Sequence, residues 1–251
     1  MGLPLLVGSL LIAFGPSSIF YVTTVSRRPY LLVVSLFGFL WSMLSFVLSG
    51  AIFSIWNIWS TPPLPVSMVL SILFFELLRP FVYKFMNFSC KKLNEVDIPL
   101  SITAPTELFK LSVCAGMGTG LLTVFSIALV PLTSAGYAAD YYMPQCNCMS
   151  LYVVIAIESL CVMPLHVLWT YLTLRAYSSK YWPTAIVVCI LHLLQGCVTL
   201  LNQVSSGCIY AVVILVVLAL AAILVLSKLV ANSCQLMFPP KKAVKEGKEE
   251  R

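Results

Sequence analysis

Apolar residues along this chain come in long runs without a charged side chain. The runs are 1–26, 29–75, 111–139, 141–157, 159–174 and 181–227. A helix needs roughly 20 apolar residues to cross a hydrocarbon core about 30 Å thick. Runs 29–75 and 181–227 are each long enough for two such helices. The first divides at Ser60-Thr61-Pro62-Pro63-Leu64-Pro65, where three prolines stop a helix. The second divides at the polar turn Asn202 to Gly207, and residues 150–174 form one span interrupted only by Glu158. The pattern predicts an all-α membrane protein with seven transmembrane helices near 3–25, 30–59, 64–86, 108–130, 150–174, 182–201 and 208–230. Residues 1–237 are expected to be one membrane domain, and 238–251 a charged, unstructured cytosolic tail.

Composition narrows the class. The chain has 251 residues, 60% hydrophobic and 10% charged, with a mean hydropathy of +0.99. Soluble domains carry about a quarter charged residues, so a soluble enzyme, a nucleic-acid-binding domain and a disordered chain are excluded. The net charge of +6 is an orientation signal rather than a nucleic-acid signal. All of the fifteen basic residues except Arg79 fall in the odd-numbered loops or the tail. Loops 60–63, 131–149 and 202–207 contain none. The positive-inside rule then places the N-terminus in the lumen or outside the cell and the C-terminus in the cytosol. Arg27 and Arg28 follow the first run and nothing basic precedes its core, which predicts an uncleaved first span. The sequon Asn87-Phe88-Ser89 falls on the cytosolic side and is expected to stay unmodified.

Ionisable residues at membrane depth are expensive, and they mark candidate sites. Glu76 and Arg79 are three apart and share a face of the third helix, with Pro80 following. They are read as a neutralised pair holding that helix in place. His166 and His192 lie on consecutive antiparallel helices at a matching depth, which suggests a buried hydrogen-bonded pair. Glu158 sits about 12 Å along the axis from His166. A zinc or proton-relay site of Glu158, His166 and His192 is disfavoured against structural roles, since catalytic zinc takes three protein ligands. No metal or other cofactor is expected. Gly116 and Gly120 form a GxxxG, with Gly118 on another side of the fourth helix. Such thinned faces serve internal packing or dock a partner helix. Cys146, Cys148 and Cys208 fall on the oxidising side, where one disulfide can form; a metal or redox role for Cys146-Asn147-Cys148 is disfavoured.

Several of these residues, with their neighbours, resemble the anterior-pharynx-defective-one family, the seven-helix subunit of gamma-secretase. Ala13-Phe14-Gly15-Pro16 is similar to that family's first helix. Glu76-Leu77-Leu78-Arg79 with Tyr83-Lys84 resembles its E-x-x-R and Y-K pattern, and Gly116 and Gly120 with Val124-Phe125-Ser126 its glycine-rich fourth helix. Leu165-His166-Val167-Leu168-Trp169 resembles its L-H-x-x-W. Tyr181-Trp182, His192-Leu193-Leu194 and Thr199-Leu200-Leu201-Asn202 resemble helix six, and Ile209-Tyr210-Ala211-Val212 the start of helix seven. The resemblance implies a non-catalytic scaffold that binds nicastrin, then supports presenilin and the presenilin enhancer, in a complex cleaving substrates such as Notch and the amyloid precursor. It implies assembly roles for Gly116 and Gly120 and packing roles for His166 and His192. It also implies residence in the endoplasmic reticulum, Golgi, and plasma and endosomal membranes, with lipids as the remaining partners. The family commonly has a third glycine where this chain has Val124, which narrows the groove.

Other classes fit less well. A rhodopsin-type receptor would show D-R-Y and N-P-x-x-Y, and neither is present. A presenilin-like protease needs two intramembrane aspartates, whereas Asp97 and Asp140 fall in loops. A transporter built from inverted repeats would show similar halves. Seven-helix zinc hydrolases need more histidines than the two here.

Overall fold

The computed structural model describes residues 2–61, 63–95, 103–134, 145–146 and 149–237. Among them are seven helices long and apolar enough to cross a membrane: α1 Gly2–Phe20, α2 Pro29–Asn57, α3 Leu64–Asn94, α4 Pro105–Ser134, α5 Leu151–Ser179, α6 Trp182–Thr199 and α7 Gly207–Met237. A π segment, Tyr21–Val25, extends α1, and a 3₁₀ turn, Leu200–Gln203, extends α6. The number and order of helices match the sequence pattern, but several ends do not. The largest difference is at α3, expected to stop at 86, which runs to Asn94 through Lys91 and Lys92. Hydropathy marks where a segment leaves the apolar layer, and backbone hydrogen bonding carries the helix on into polar surroundings. α3 also runs unbroken through Pro80. That residue has no N–H to offer the Glu76 carbonyl one turn back.

Two helices form the interior. The most apolar window of α5 is 78% buried and that of α4 is 67%, against 17–28% for the other five. α4 packs against α5 on one side and α2 on the other, while α1 and α7 lie along α5. α3 reaches the centre mainly by way of α2 and α6.

The α2–α4 contact shows how an apolar sequence produces a close fit. The buried positions of α2 are Leu31, Ser35, Gly38, Ser42, Ser45 and Ser49, which alternate spacings of four and three. Small residues thus form a single seam, while Val33, Leu36, Leu40, Phe46 and Val47 face outward. Lipid is as apolar as leucine, so large apolar side chains gain little by turning inward, and close backbone approach supplies the contact energy instead. Gly38 touches the backbone of Ala115, and Gly118 lies against the backbone of Ser35 and Phe39. Lys180 adopts a left-handed conformation at the end of α5 and reverses the chain into α6. At the opposite end of the bundle, a Cys146–Cys208 disulfide, with Cα atoms 5.9 Å apart, ties residues 145–146 to the start of α7. The Ser206 amide donates to the Gln145 carbonyl there, at 2.8 Å. Cys148 and the tail 238–251 lie outside the described residues.

Candidate functional site

The polar residues at membrane depth gather where α3, α5 and α6 meet. Glu76 and Arg79 are one turn apart on α3, and both are buried. Arg79 Nη2 lies 3.1 Å from Glu76 Oε1, an ion-pair contact off the hydrogen-bond direction. Arg79 Nη1 donates to Thr173 Oγ1 of α5 at 2.9 Å. Glu76 Oε1 also meets His192 Nδ1 of α6 at 2.5 Å. With Glu76 as the carboxylate, Nδ1 is the donor. The expected Glu76–Arg79 pair is therefore part of a larger unit, in which one charged residue bonds α6 and the other bonds α5. Each charge keeps a partner, which an intramembrane charge requires.

The two histidines do come together, but without the direct hydrogen bond that their matching depth suggested. Their rings meet edge to face with centroids 5.3 Å apart. Phe75 presents its ring to both, 6.0 Å from His166 and 5.7 Å from His192, and the Arg79 guanidinium sits 5.1 Å from the Phe75 centroid. His192 Nδ1 is instead taken by the carboxylate of Glu76. His166 is 3% exposed, and its Nδ1 has no protein partner.

Glu158 stands apart from this group and accepts a hydrogen bond from Asn202 Nδ2 at 2.7 Å. No set of three His, Cys, Asp or Glu residues among the described residues is placed to hold a metal ion. Glu158, His166 and His192 are not assembled as one site.

The glycine motif is also resolved by its surroundings. A Cβ on Gly116 would stand 2.6 Å from Val167 Cα, and one on Gly120 2.6 Å from Met163 Sδ, both on α5. Gly118 faces α2. The glycines of α4 thus lie against α5 and α2 of the same chain. Val124 is fully buried and packs with Ala13 of α1 and Met163 of α5, so the residue in place of a third glycine seats α1.

Three contributors escaped the sequence reading. Gln195 lies one turn from His192 and accepts from Trp169 Nε1 at 2.7 Å. A buried glutamine in an apolar helix was a signal available in the sequence. Thr173 and Phe75 carried none, because threonine and phenylalanine are ordinary residues in membrane helices.

The amino-acid sequence can be set beside known proteins. The model of the Aph-1 protein family matches residues 5–233, from α1 into α7. The chain belongs to the Aph-1 family. Curated relatives agree at low identity. A gamma-secretase subunit APH1-like of Arabidopsis thaliana is 27% identical over 228 residues, covering 85% of this chain and 87% of that protein. Gamma-secretase subunit Aph-1b of Danio rerio is 25% identical over 211 residues, covering 80% of each. Gamma-secretase subunit Aph-1 of Drosophila melanogaster is 24% identical over 206 residues, covering 80% of this chain and 83% of that protein. Within an Aph-1 fold, then, the Glu76, Arg79, His166 and His192 group sits at the junction of α3, α5 and α6, and the glycines of α4 lie between α5 and α2.

Proposed function

We propose that this chain is a non-catalytic scaffold and assembly subunit of a gamma-secretase-type intramembrane protease complex. In this reading it stabilises presenilin and nicastrin, with the presenilin enhancer subunit, for cleavage of single-span proteins such as Notch and the amyloid precursor. The observation that carries it is the Aph-1 family match across residues 5–233, with relatives named as gamma-secretase subunits. The side-chain geometry supports the structural part of the reading. Glu76 is engaged by both His192 and Arg79, and Glu158 by Asn202, so these carboxylates serve to join helices. The chain would sit with its N-terminus in the lumen and its tail in the cytosol, in membranes from the endoplasmic reticulum and Golgi to the plasma and endosomal membranes. Affinity purification in mild detergent, with co-purifying proteins identified, tests the proposal. Presenilin, nicastrin and the presenilin enhancer are expected in stoichiometric amounts, and recovery of the chain without them would overturn it.

A further inference from the structure

Glu158 takes no part in the group at the junction of α3, α5 and α6. It lies two turns into α5 and is buried. Its Oε1 accepts from Asn202 Nδ2 at 2.7 Å, and no ion pair among the described residues includes it. The elements packed against α5 bring no free cation to it. α1 carries no titratable side chain, and Glu107, Lys110 and Cys114 of α4 lie in its first third, at the opposite end of the bundle. Arg79 of α3 and His192 of α6 are both engaged by Glu76, and the other ionisable groups of α3 lie beyond them toward that opposite end. α6 otherwise has Cys189 and Cys197. Tyr210 of α7 is exposed, and the first basic residue of that helix is Lys228. On α5 itself Tyr152 and Cys161 flank Glu158, Cys161 lies within electrostatic reach of it, and His166 lies two turns further in. Loops 58–63, 131–149 and 204–206 contain no Lys, Arg or His.

The partner side chain is only half satisfied. Asn202 Nδ2 donates to Glu158, but Asn202 Oδ1 is buried without a hydrogen-bond partner. A carboxamide presents a donor and an acceptor side by side, and so does a carboxylic acid, whereas a carboxylate presents acceptors alone. An ionised Glu158 would have nothing to give the amide oxygen. It would also be a charge at membrane depth without a counter-charge, which acids there avoid by pairing or by staying neutral. We propose that Glu158 is a proton-binding site: it is carried as the neutral acid, its O–H donating to Asn202 Oδ1 while Asn202 Nδ2 donates to its carbonyl oxygen. This two-bond ring latches the α6–α7 connection to α5. The Cys146–Cys208 disulfide and the Ser206 to Gln145 bond tie that connection to residues 145–146, ahead of α5, so the link to α5 itself falls to Glu158. Loss of the proton leaves one bond and an unpaired charge, and the latch weakens as pH rises.

Glu158→Gln tests this, because a carboxamide of the same shape closes the same ring without a proton. Thermal unfolding of the full-length wild type and variant in detergent is compared across a pH series. An acid that is neutral in the folded chain and ionised in the unfolded one binds more protons when folded, so its contribution falls as pH rises. The wild-type melting temperature is therefore expected to drop relative to the variant's by about 5 °C between roughly pH 5 and pH 8. Groups common to both chains cancel in that difference. A difference that does not change with pH would overturn the proposal. So would a wild type that gains on the variant as pH rises, the behaviour of an ionised carboxylate held by Asn202. Infrared difference spectra of wild type against Glu158→Gln near neutral pH give a second reading. A protonated-carboxyl band that shifts in heavy water is expected, and its absence would sink the neutral acid. Asn202→Leu, which removes both bonds, is expected to lower the melting temperature of either chain, and an unchanged value would remove the latch.

Discussion

Glu76 and Arg79 are separated by a single helical turn, and their combined effect is set by what each reaches across the bundle. Removing one partner of a buried ion pair leaves the other charge uncompensated, at roughly 3–5 kcal/mol, whereas replacing both with apolar residues of similar size is often tolerated. Arg79→Leu alone is therefore expected to reduce the yield of folded, monodisperse protein sharply, and the double variant Glu76→Leu with Arg79→Leu should recover part of it. Thermal unfolding in detergent checks this, and equal losses in the single and double variants would count against the ion pair. His192→Ala removes the bond to Glu76 and loosens α6 from α3. His166→Ala leaves the Glu76 contacts in place, and the His166 Nδ1 it removes has no hydrogen-bond partner among the described residues. Mature complex yield should accordingly fall further for His192→Ala than for His166→Ala, as read by blue native electrophoresis.

Among the helices, α4 decides most of the architecture because it can be approached closely from two sides. A leucine at Gly116 would have to displace the α5 backbone at Val167 and His166, which cannot yield as a flexible side chain can, whereas one at Gly120 first meets the end of the Met163 side chain. Gly116→Leu is expected to destabilise the chain itself, lowering its folded yield by about an order of magnitude before partners enter, and Gly120→Leu to lower it less. Gly50→Leu, at a position with open space around it, should leave yield unchanged. Size-exclusion profiles of the chain expressed alone check this. Normal folding of the Gly116 and Gly120 variants, with only partners lost, would instead support a docking role for this face. The sequence identified the GxxxG but not its occupant. A thinned helix face looks the same from the sequence whether the neighbouring helix belongs to its own chain or to another.

Taken whole, the bundle has one end rich in lysine and arginine and another with none. This asymmetry predicts that loop 204–206 faces the lumen. A glycosylation acceptor with a short spacer inserted there is expected to be modified, while the native Asn87-Phe88-Ser89 stays bare. Gel mobility before and after glycosidase treatment reads both sites. Modification of Asn87 would reverse the orientation. The Cys146–Cys208 disulfide lies at the same end as residues 204–206, and an oxidising compartment on that side would maintain it. The sequence named three cysteines for one bond. The structure pairs Cys146 with Cys208 by bringing residues 145–146 to the head of α7.

Hydropathy alone determined the seven helices and their order, because a bilayer requires each crossing segment to be long, apolar and internally hydrogen-bonded. Charge asymmetry predicted orientation for a similarly direct reason, and scarcity of charge singled out Glu76, Arg79, His166 and His192. The partners of these residues were decided only in three dimensions. Whether a histidine meets another histidine or a glutamate depends on helix rotation and crossing, and lipid-facing and core-facing positions are nearly equal in hydropathy. The serine and glycine seam of α2 and the closure of the α4 glycine face by α5 both follow from that rotation. It is fixed by how closely small residues allow backbones to approach, a property of pairs of helices rather than of any one segment.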